Sequence, residues 1–327
     1  MAAPFTPMLA TLGTVADVDD EDDWAFEMKW DGIRAIAAVT DAGTAQAQVR
    51  LTSRNGHDMT GTYPDIVTAL EKAVSQGDAT LDGEIVALDT TGRPDFGVLQ
   101  GRMNLQKKGE IQRAAARIPV HYMAFDIVER DGTSLLKTEY DERRRILEET
   151  LEEGDSDRIH VPPAFHGGLG DAIASSKQLG LEGIVAKRRD STYAVGRRTR
   201  SWIKIKHHRT QEVIVGGWRP GNGRRAGGIG SLLVGIPDDS GIRYVGRVGT
   251  GFTDDELTEI ARRLEPLAQK QPTLTDVPRA DAADAHWVTA ELVGEVEFAE
   301  WTGGGNLRQP SWRGWRPDKD PADVHPE

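Results

Sequence analysis

In the first two thirds of this chain, six short strand-like stretches each carry from one to four charges among apolar neighbours, and any fold must aim those charges somewhere useful. The stretches cover residues 27–34, 49–56, 81–88, 120–128, 181–187 and 201–206. Successive side chains of a strand point to opposite faces, so in Ser201-Trp202-Ile203-Lys204-Ile205-Lys206 both lysines project from one face. Two ammonium groups side by side are costly unless something anionic lies between them. Glu84 and Glu182 are each isolated carboxylates in apolar runs. A half-buried carboxylate needs a partner: a ribose hydroxyl suits Glu84, and Mg²⁺ suits Glu182 because hard cations take oxygen ligands.

The first stretch reads Glu27-Met28-Lys29-Trp30-Asp31-Gly32-Ile33-Arg34. Lysine can attack a nucleotide α-phosphate, but only as the neutral amine, so such a lysine needs burial, neighbouring cations or a metal to lower the ordinary value of about 10.4. Asp31 can orient the amine or help hold a metal, Gly32 lets backbone approach a ligand closely, and Arg34 can grip a phosphate. Ser53-Arg54-Asn55-Gly56 closes an alternating strand with a turn, which puts Arg54 at a strand end where a phosphate can be held. Phe125, beside Asp126, offers an aromatic face to a purine. Each feature alone also has a plain reading: Lys-x-Asp-Gly as a surface turn, Glu84 and the lysine pair as wet faces, Phe125 as core. Their order along the chain is what binds them together.

That ordered set resembles the motifs of ATP-dependent DNA ligases, in the lysyl-nucleotidyltransferase superfamily, and most closely the ligase module of bacterial non-homologous end-joining ligases. Residues 29–34 are similar to motif I, 53–56 to motif Ia, 82–84 to motif III, Phe125-Asp126 to motif IIIa, Glu182-Gly183 to motif IV and 202–206 to motif V. The tail from Leu307 through Arg316-Pro317-Asp318-Lys319 resembles motif VI, so the likeness runs from Pro7-Met8-Leu9-Ala10 to Pro321. The resemblance implies an α+β chain: a nucleotidyltransferase (ATP-grasp-like adenylation) domain with mixed and antiparallel sheets, then an oligonucleotide-binding (OB) fold β-barrel. It implies ATP and Mg²⁺ (or Mn²⁺) as cofactors. Lys29 is then the nucleophile, Lys204 and Lys206 stabilise the α-phosphate, and Glu182 and Asp31 serve the metal. Glu27 meets the adenine edge, Phe125 stacks on it and Glu84 binds the ribose. Arg34, Arg54 and Arg198 hold phosphates, while Arg316, Asp318 and Lys319 reach over ATP during the first step. The implied partners are nicked or broken duplex DNA, a Ku-like end-binding protein and a separate repair polymerase.

A length of 327 residues suits two domains. Helices are expected over 64–75, 140–153 and 170–179. From residue 210 onward the pattern turns to short strands at 212–218, 231–236, 242–248 and 287–301 around a helix at 253–267, which fits a five-stranded barrel. The boundary follows Lys206, giving domains 1–207 and 208–327. With no cysteine there is no disulfide, thiolate nucleophile or cysteine zinc site, which argues against the longer NAD-dependent ligases. The formal net charge of −12 is opposed by local patterning. Residues 17–23 form an acidic, solvated run, whereas residues 197–209 carry six Arg or Lys and no acid, enough to track phosphates. Basic segments 100–108 and 219–225 read as backbone contacts or loops, and the glycine clusters 227–230 and 303–305 as turns. No P-loop, His-x-x-x-His pair or long apolar run is present, and a cytoplasmic, nucleoid-associated protein is expected. Two rival functions remain: an RNA ligase or capping nucleotidyltransferase, and a non-catalytic DNA-end-binding module.

Overall fold

The isolated charges sit on strands of two separate sheets. In this computed structural model, which describes residues 6–103, 105–152, 156–165, 168–221 and 227–326, the chain divides into two units, Met1–His207 and His208–Glu327. The first unit runs β1 (Leu9–Leu12), β2 (Trp24–Lys29), β3 (Ile33–Ala42), β4 (Gln48–Ser53), α1 (Pro64–Ala73), β5 (Gly77–Ala87), α2 (Phe96–Gln100), α3 (Lys108–Arg117), β6 (Val120–Arg130), β7 (Thr133–Ser134), α4 (Tyr140–Glu152), β8 (Ile159–His160), α5 (Leu169–Gln178), β9 (Gly183–Arg188) and β10 (Arg198–Lys206). One sheet has the order β1-β10-β9-β2; the other has the order β4-β3-β5-β6-β7, with β8 beside β6.

Alternation decides what each face does. Trp24, Phe26, Ile184, Ala186, Ile203 and Ile205 pack with Leu169 and Ala172 of α5 on one side of the first sheet. Glu27, Lys29, Val185, Lys187, Lys204 and Lys206 have the opposite parity and take the other side. In the second sheet, Ile33, Ala35, Leu81, Ile85 and Tyr122 pack with Leu70 of α1, Leu99 of α2 and Leu147 of α4. Their removal from water contributes about 1.5–3 kcal/mol for each large side chain. Arg34 and Glu84 are left on the reverse face. Met8, Val128, Tyr193 and Trp202, with Phe125 and Val185 against them, join the two charged faces.

Local sequence explains the helix starts. Pro64 occupies the first turn of α1, where its missing N–H costs nothing, and Ile66, Ala69, Leu70 and Ala73 form the buried stripe. Gly168 precedes α5 and has no side chain to cap it; Oε2 of Glu21 accepts from the Leu169 N–H at 2.8 Å instead. The acidic run is therefore exposed but not idle. Asp19 accepts from Trp24 Nε1 at 2.9 Å, Asp23 pairs with Arg188 at 3.1 Å, and Asp17 pairs with Arg200 at 2.6 Å.

The second unit contains β11 (Arg209–Pro220), β12 (Ile229–Asp238), β13 (Gly241–Val248), α6 (Asp254–Leu264), β14 (Ala268–Gln269), α7 (Arg279–Ala282), β15 (His286–Val288), β16 (Val293–Phe298), β17 (Glu300–Trp301), β18 (Leu307–Arg308) and β19 (Ser311–Trp315). Its main sheet runs β13-β12-β11-β15-β14, and β16 pairs with both β11 and β19. Val213, Val215, Val234, Val296 and Trp312 enclose a core with Ile260 and Leu264 of α6, whose start carries a capping box between Thr253 and Glu256.

Three expectations change. Helices α2 and α3 are not among the expected helices; α3 buries only Ile111 and Ala114 and has little apolar signal. The single stretch 287–301 is three strands: β11 is long enough to pair with β16 along its first half and β15 near its end. Gly230 of the first glycine cluster lies inside β12 rather than in a turn. Asn104, Glu153 and residues 222–226, parts of the expected basic segments and helix, lie outside the described residues.

Candidate active site

Strand register assembles the lysines. Lys29 at the end of β2 pairs with Gly183 of β9, and Gly183 pairs with Lys206 of β10; the next row on the same face is Glu27, Val185 and Lys204. Glu182, one residue before β9, puts its carboxylate at the end of the first row. Its Oε2 receives Lys29 Nζ, and its Oε1 lies 3.2 Å from Lys206 Nζ. Burial alone would push the Glu182 carboxyl up, yet the two ammonium groups outweigh it and hold the group well below the usual carboxylate range. The chain itself thus supplies an anion to Lys206, one of the two lysines of the 201–206 alternation, and to Lys29.

The turn into β9 is held from behind. A Cβ on Gly183 would lie 2.1 Å from the Ile205 carbonyl oxygen, so no side chain fits there. Ser176 Oγ donates to the Gly183 carbonyl at 2.6 Å, and His207 Nε2 lies 3.0 Å from that hydroxyl oxygen. With the hydroxyl proton committed, His207 Nε2 is the donor.

On the facing sheet, Arg34, Glu84 and Met123 form one cross-strand row. Arg34, expected to grip a phosphate, has partners within the chain. Its Nε and Nη2 pair with both oxygens of Asp82, Nη2 also donates to the Met8 carbonyl at 3.1 Å, and the guanidinium carbon stands 4.7 Å from the Phe125 ring centre. Tyr193 closes this buried cluster by donating to Asp82 and accepting from the Met8 N–H at 3.0 Å. Burial would lower the Arg34 pKa, but Asp82 more than compensates and raises it, so the group stays charged. The cluster fastens the N-terminal segment to the second sheet.

Glu27 and Phe125 come together through a residue that the motif reading passed over. Lys187 is fully buried; its Nζ lies 2.8 Å from Oε2 of Glu27, donates to the Phe125 carbonyl at 2.8 Å, and stands 4.4 Å from the Trp202 ring centre. Burial pushes its ammonium down, against the pull of the Glu27 carboxylate. The other Glu27 oxygen accepts from Tyr140 OH at 2.5 Å and faces Arg144 at 3.6 Å. Both carboxylate oxygens of Glu27, expected at the adenine edge, therefore have partners within the chain. Parity was the available signal, since Lys187 shares a face with Gly183 and Val185.

The remaining candidates are spread out. Asp31 lies in the link between β2 and β3. Gly32 packs against the second sheet, for a Cβ there would lie 2.2 Å from the Ile85 carbonyl oxygen. Arg54 occupies the tight turn closed by Gly56 N–H to Ser53 C=O at 2.9 Å. Arg198, at the exposed start of β10, donates to the Ala10 carbonyl and so secures β1. In the second unit, Arg316 pairs with Asp318 and Glu295, and Lys319 with Glu212. A pocket of about 500 Å³ opens beyond the β2 edge, lined by Trp24, Tyr140, Arg144 and Phe165 but by neither Lys29 nor Glu182.

With this geometry in place, comparison with known proteins is informative. Residues 7–206 match the family described as ATP dependent DNA ligase domain, and residues 225–319 match ATP dependent DNA ligase C terminal region. The chain is similar to the multifunctional non-homologous end joining protein LigD of Mycolicibacterium smegmatis, with 46% identity over 321 residues, covering 98% of this chain and 39% of that protein. It is 34% identical over 332 residues to a DNA ligase of Natronomonas pharaonis, covering 98% of this chain and 57% of the other. Among solved structures it is similar to mycobacterial DNA ligase D complexed with ATP and MES, with 42% identity, a TM-score of 0.71, and coverage of 99% and 98% of the two chains. Two facing sheets with a lysine row, followed by a β-barrel unit, define a nucleotidyltransferase with an OB-fold domain. The chain belongs to the family of ATP-dependent DNA ligases. It spans about two fifths of the length of the mycobacterial relative. Among the described residues, no helix is long and apolar enough to cross a membrane.

Proposed function

We propose that this chain seals breaks in duplex DNA through a lysyl-adenylate on Lys29. The observation that carries the reading is the convergence of Lys29 and Lys206 on the Glu182 carboxylate, on a sheet face opposite Glu84. In the first step Lys29 Nζ attacks the ATP α-phosphorus, the bond to pyrophosphate breaks and a phosphoramidate forms. Lys204 and Lys206 stabilise charge on the α-phosphate oxygens as it develops. The 5′-phosphate of the break then takes AMP from Lys29, and attack by the 3′-hydroxyl on that phosphate releases AMP and joins the strands. Splitting the condensation in this way replaces one difficult step by activation and displacement.

Glu182 and Asp31 are the candidate ligands of Mg²⁺ or Mn²⁺, which supplies charge stabilisation at the phosphates. The Glu182 carboxylate, shared by Lys29 and Lys206, would offer such a hard cation an oxygen ligand. Phe125 and Glu84 serve base and ribose, with Lys187 and Glu27 at the base end, while Arg54 and Arg198 lie where the broken strand's phosphates pass. Arg316 and Lys319 act on the triphosphate in the first step. Domains 1–207 and 208–327 are the working division. End joining in the cytoplasm at the nucleoid, with a Ku-like end-binding protein and a repair polymerase as partners, is the cellular setting that the likeness to end-joining ligases supports.

Intact mass decides the first step. Protein stripped with pyrophosphate and then incubated with Mg²⁺ and equal ATP and GTP should gain one AMP, and Lys29→Ala should gain nothing. A nicked duplex should then be sealed. A GMP adduct would indicate capping chemistry, and no adduct would leave a binding module.

A further inference from the structure

A turn near the end of the barrel unit sets cations over an opposed pair of carboxylates. Residues 316–319 form a four-residue turn closed by the Lys319 N–H donating to the Arg316 carbonyl at 3.0 Å, with Pro317 in the second position, where its fixed φ belongs. Beside this turn, Glu212 of β11 and Glu295 of β16 are direct cross-strand partners. Like charges opposite one another destabilise a sheet, more so when withdrawn from water, and here the side chains are only 13% and 9% exposed.

Motif VI neutralises them. Lys319 Nζ lies 2.6 Å from Glu212, Arg316 Nη1 lies 3.4 Å from Glu295, and Arg313 Nε stands 3.9 Å from Glu295. Arg316 also makes a two-point contact with Asp318 at 2.9 and 2.8 Å. For stability alone an apolar cross-strand pair serves a barrel as well as a buried ionic one. The carboxylates have another effect. An ammonium carries three donors and a guanidinium five, so pairing fixes the rotamer of Lys319 or Arg316 without exhausting its capacity for phosphate oxygens. The entropy of ordering these long side chains is then met on folding rather than at the reaction.

We propose that Glu212 and Glu295 are positioning residues for the adenylation step, holding Lys319 and Arg316 in the orientation in which they meet the triphosphate. The inference rests on the reading that motif VI acts on ATP, and Lys319→Ala tests that reading separately. In the full chain, single-turnover adenylation would be measured against ATP concentration, beside sealing of pre-adenylated nicked DNA. Glu212→Ala should slow adenylation by about ten-fold, as expected when one orienting contact is lost, while sealing changes less than about two-fold. Glu212→Gln, which keeps an acceptor for Lys319, should recover most of the rate. Equal loss in both steps would make the carboxylate structural, and faster adenylation would make it a restraint; either result overturns the inference. A slow Lys319→Ala with a normal Glu212→Ala overturns it alone, whereas a Lys319→Ala with normal adenylation removes the motif VI reading and the inference together.

Discussion

Lys29 and Lys206, on strands 177 positions apart in sequence, meet the two oxygens of one carboxylate, that of Glu182. The arrangement places the nucleophile of the proposed reaction and a phosphate-binding lysine on either side of a buried anion. Glu182→Gln removes the charge and keeps the shape. We expect adenylation to fall by at least about 100-fold, as for loss of a preorganised electrostatic partner, with little change in secondary structure by circular dichroism. Unchanged AMP transfer would exclude Glu182 from the chemistry.

Lys187 ties Glu27 to the Phe125 backbone across two sheets. Replacing it with Met preserves volume but leaves a buried carboxylate and a carbonyl short of a donor, at about 1.5–3 kcal/mol for a charged hydrogen bond. The expected readout is a half-saturating ATP concentration raised about ten-fold or more. The maximal adenylation rate should change less. An effect confined to thermal stability would make Lys187 purely structural.

Asp82 is fully buried between Arg34 and Tyr193. Asp82→Ala strands the Arg34 guanidinium, and breaking such a pair costs about 3–5 kcal/mol. Urea unfolding should lose that amount from the first unit. A loss below about 1 kcal/mol, the range of a surface pair, would show that solvent reaches the site.

Lys319→Ala should impair self-adenylation and leave sealing of pre-adenylated DNA largely intact, because motif VI acts on the triphosphate in the proposed sequence. Comparable loss in the two assays would contradict a step-specific role.

His121 and His160 approach at 3.0 Å, Nδ1 to Nε2, so one must be neutral to accept. Burial lowers both pKa values; the His160 and Arg158 charges add to this for His121, and Asp157 opposes it for both. A lowered folded value means that the unfolded chain binds protons first. The stability from this pair is complete above the ordinary value of 6.5 and is lost as pH falls through the lowered folded values. Thermal melts should show wild type losing about 2 °C more than His160→Gln on acidification from pH 7 to 5. Parallel curves would exclude the pair as a contributor.

Some of this was written locally. Alternation in 201–206 was enough to put Lys204 and Lys206 on one face, and the helices expected over 64–75 and 253–267 begin close to the starts of α1 and α6, because periodicity depends on neighbours in sequence. Helix α3 was not legible, since two buried residues in ten leave almost no periodic signal. The pairing of Arg34 was not legible for a related reason. A string of motif letters says which residue types are present but cannot show that Asp82, 48 positions away, claims the guanidinium.

The sequence by itself determined the family, through an ordered set of chemical residue types, and the faces on which they lie, through the two-residue period of strands. Only the tertiary structure decided which charge neutralises which. Glu182 between Lys29 and Lys206, Lys187 between Glu27 and Phe125, and Lys319 on Glu212 are pairings between segments far apart in sequence. They are fixed by register and burial, because a charge withdrawn from water takes whatever partner the packed fold brings within reach.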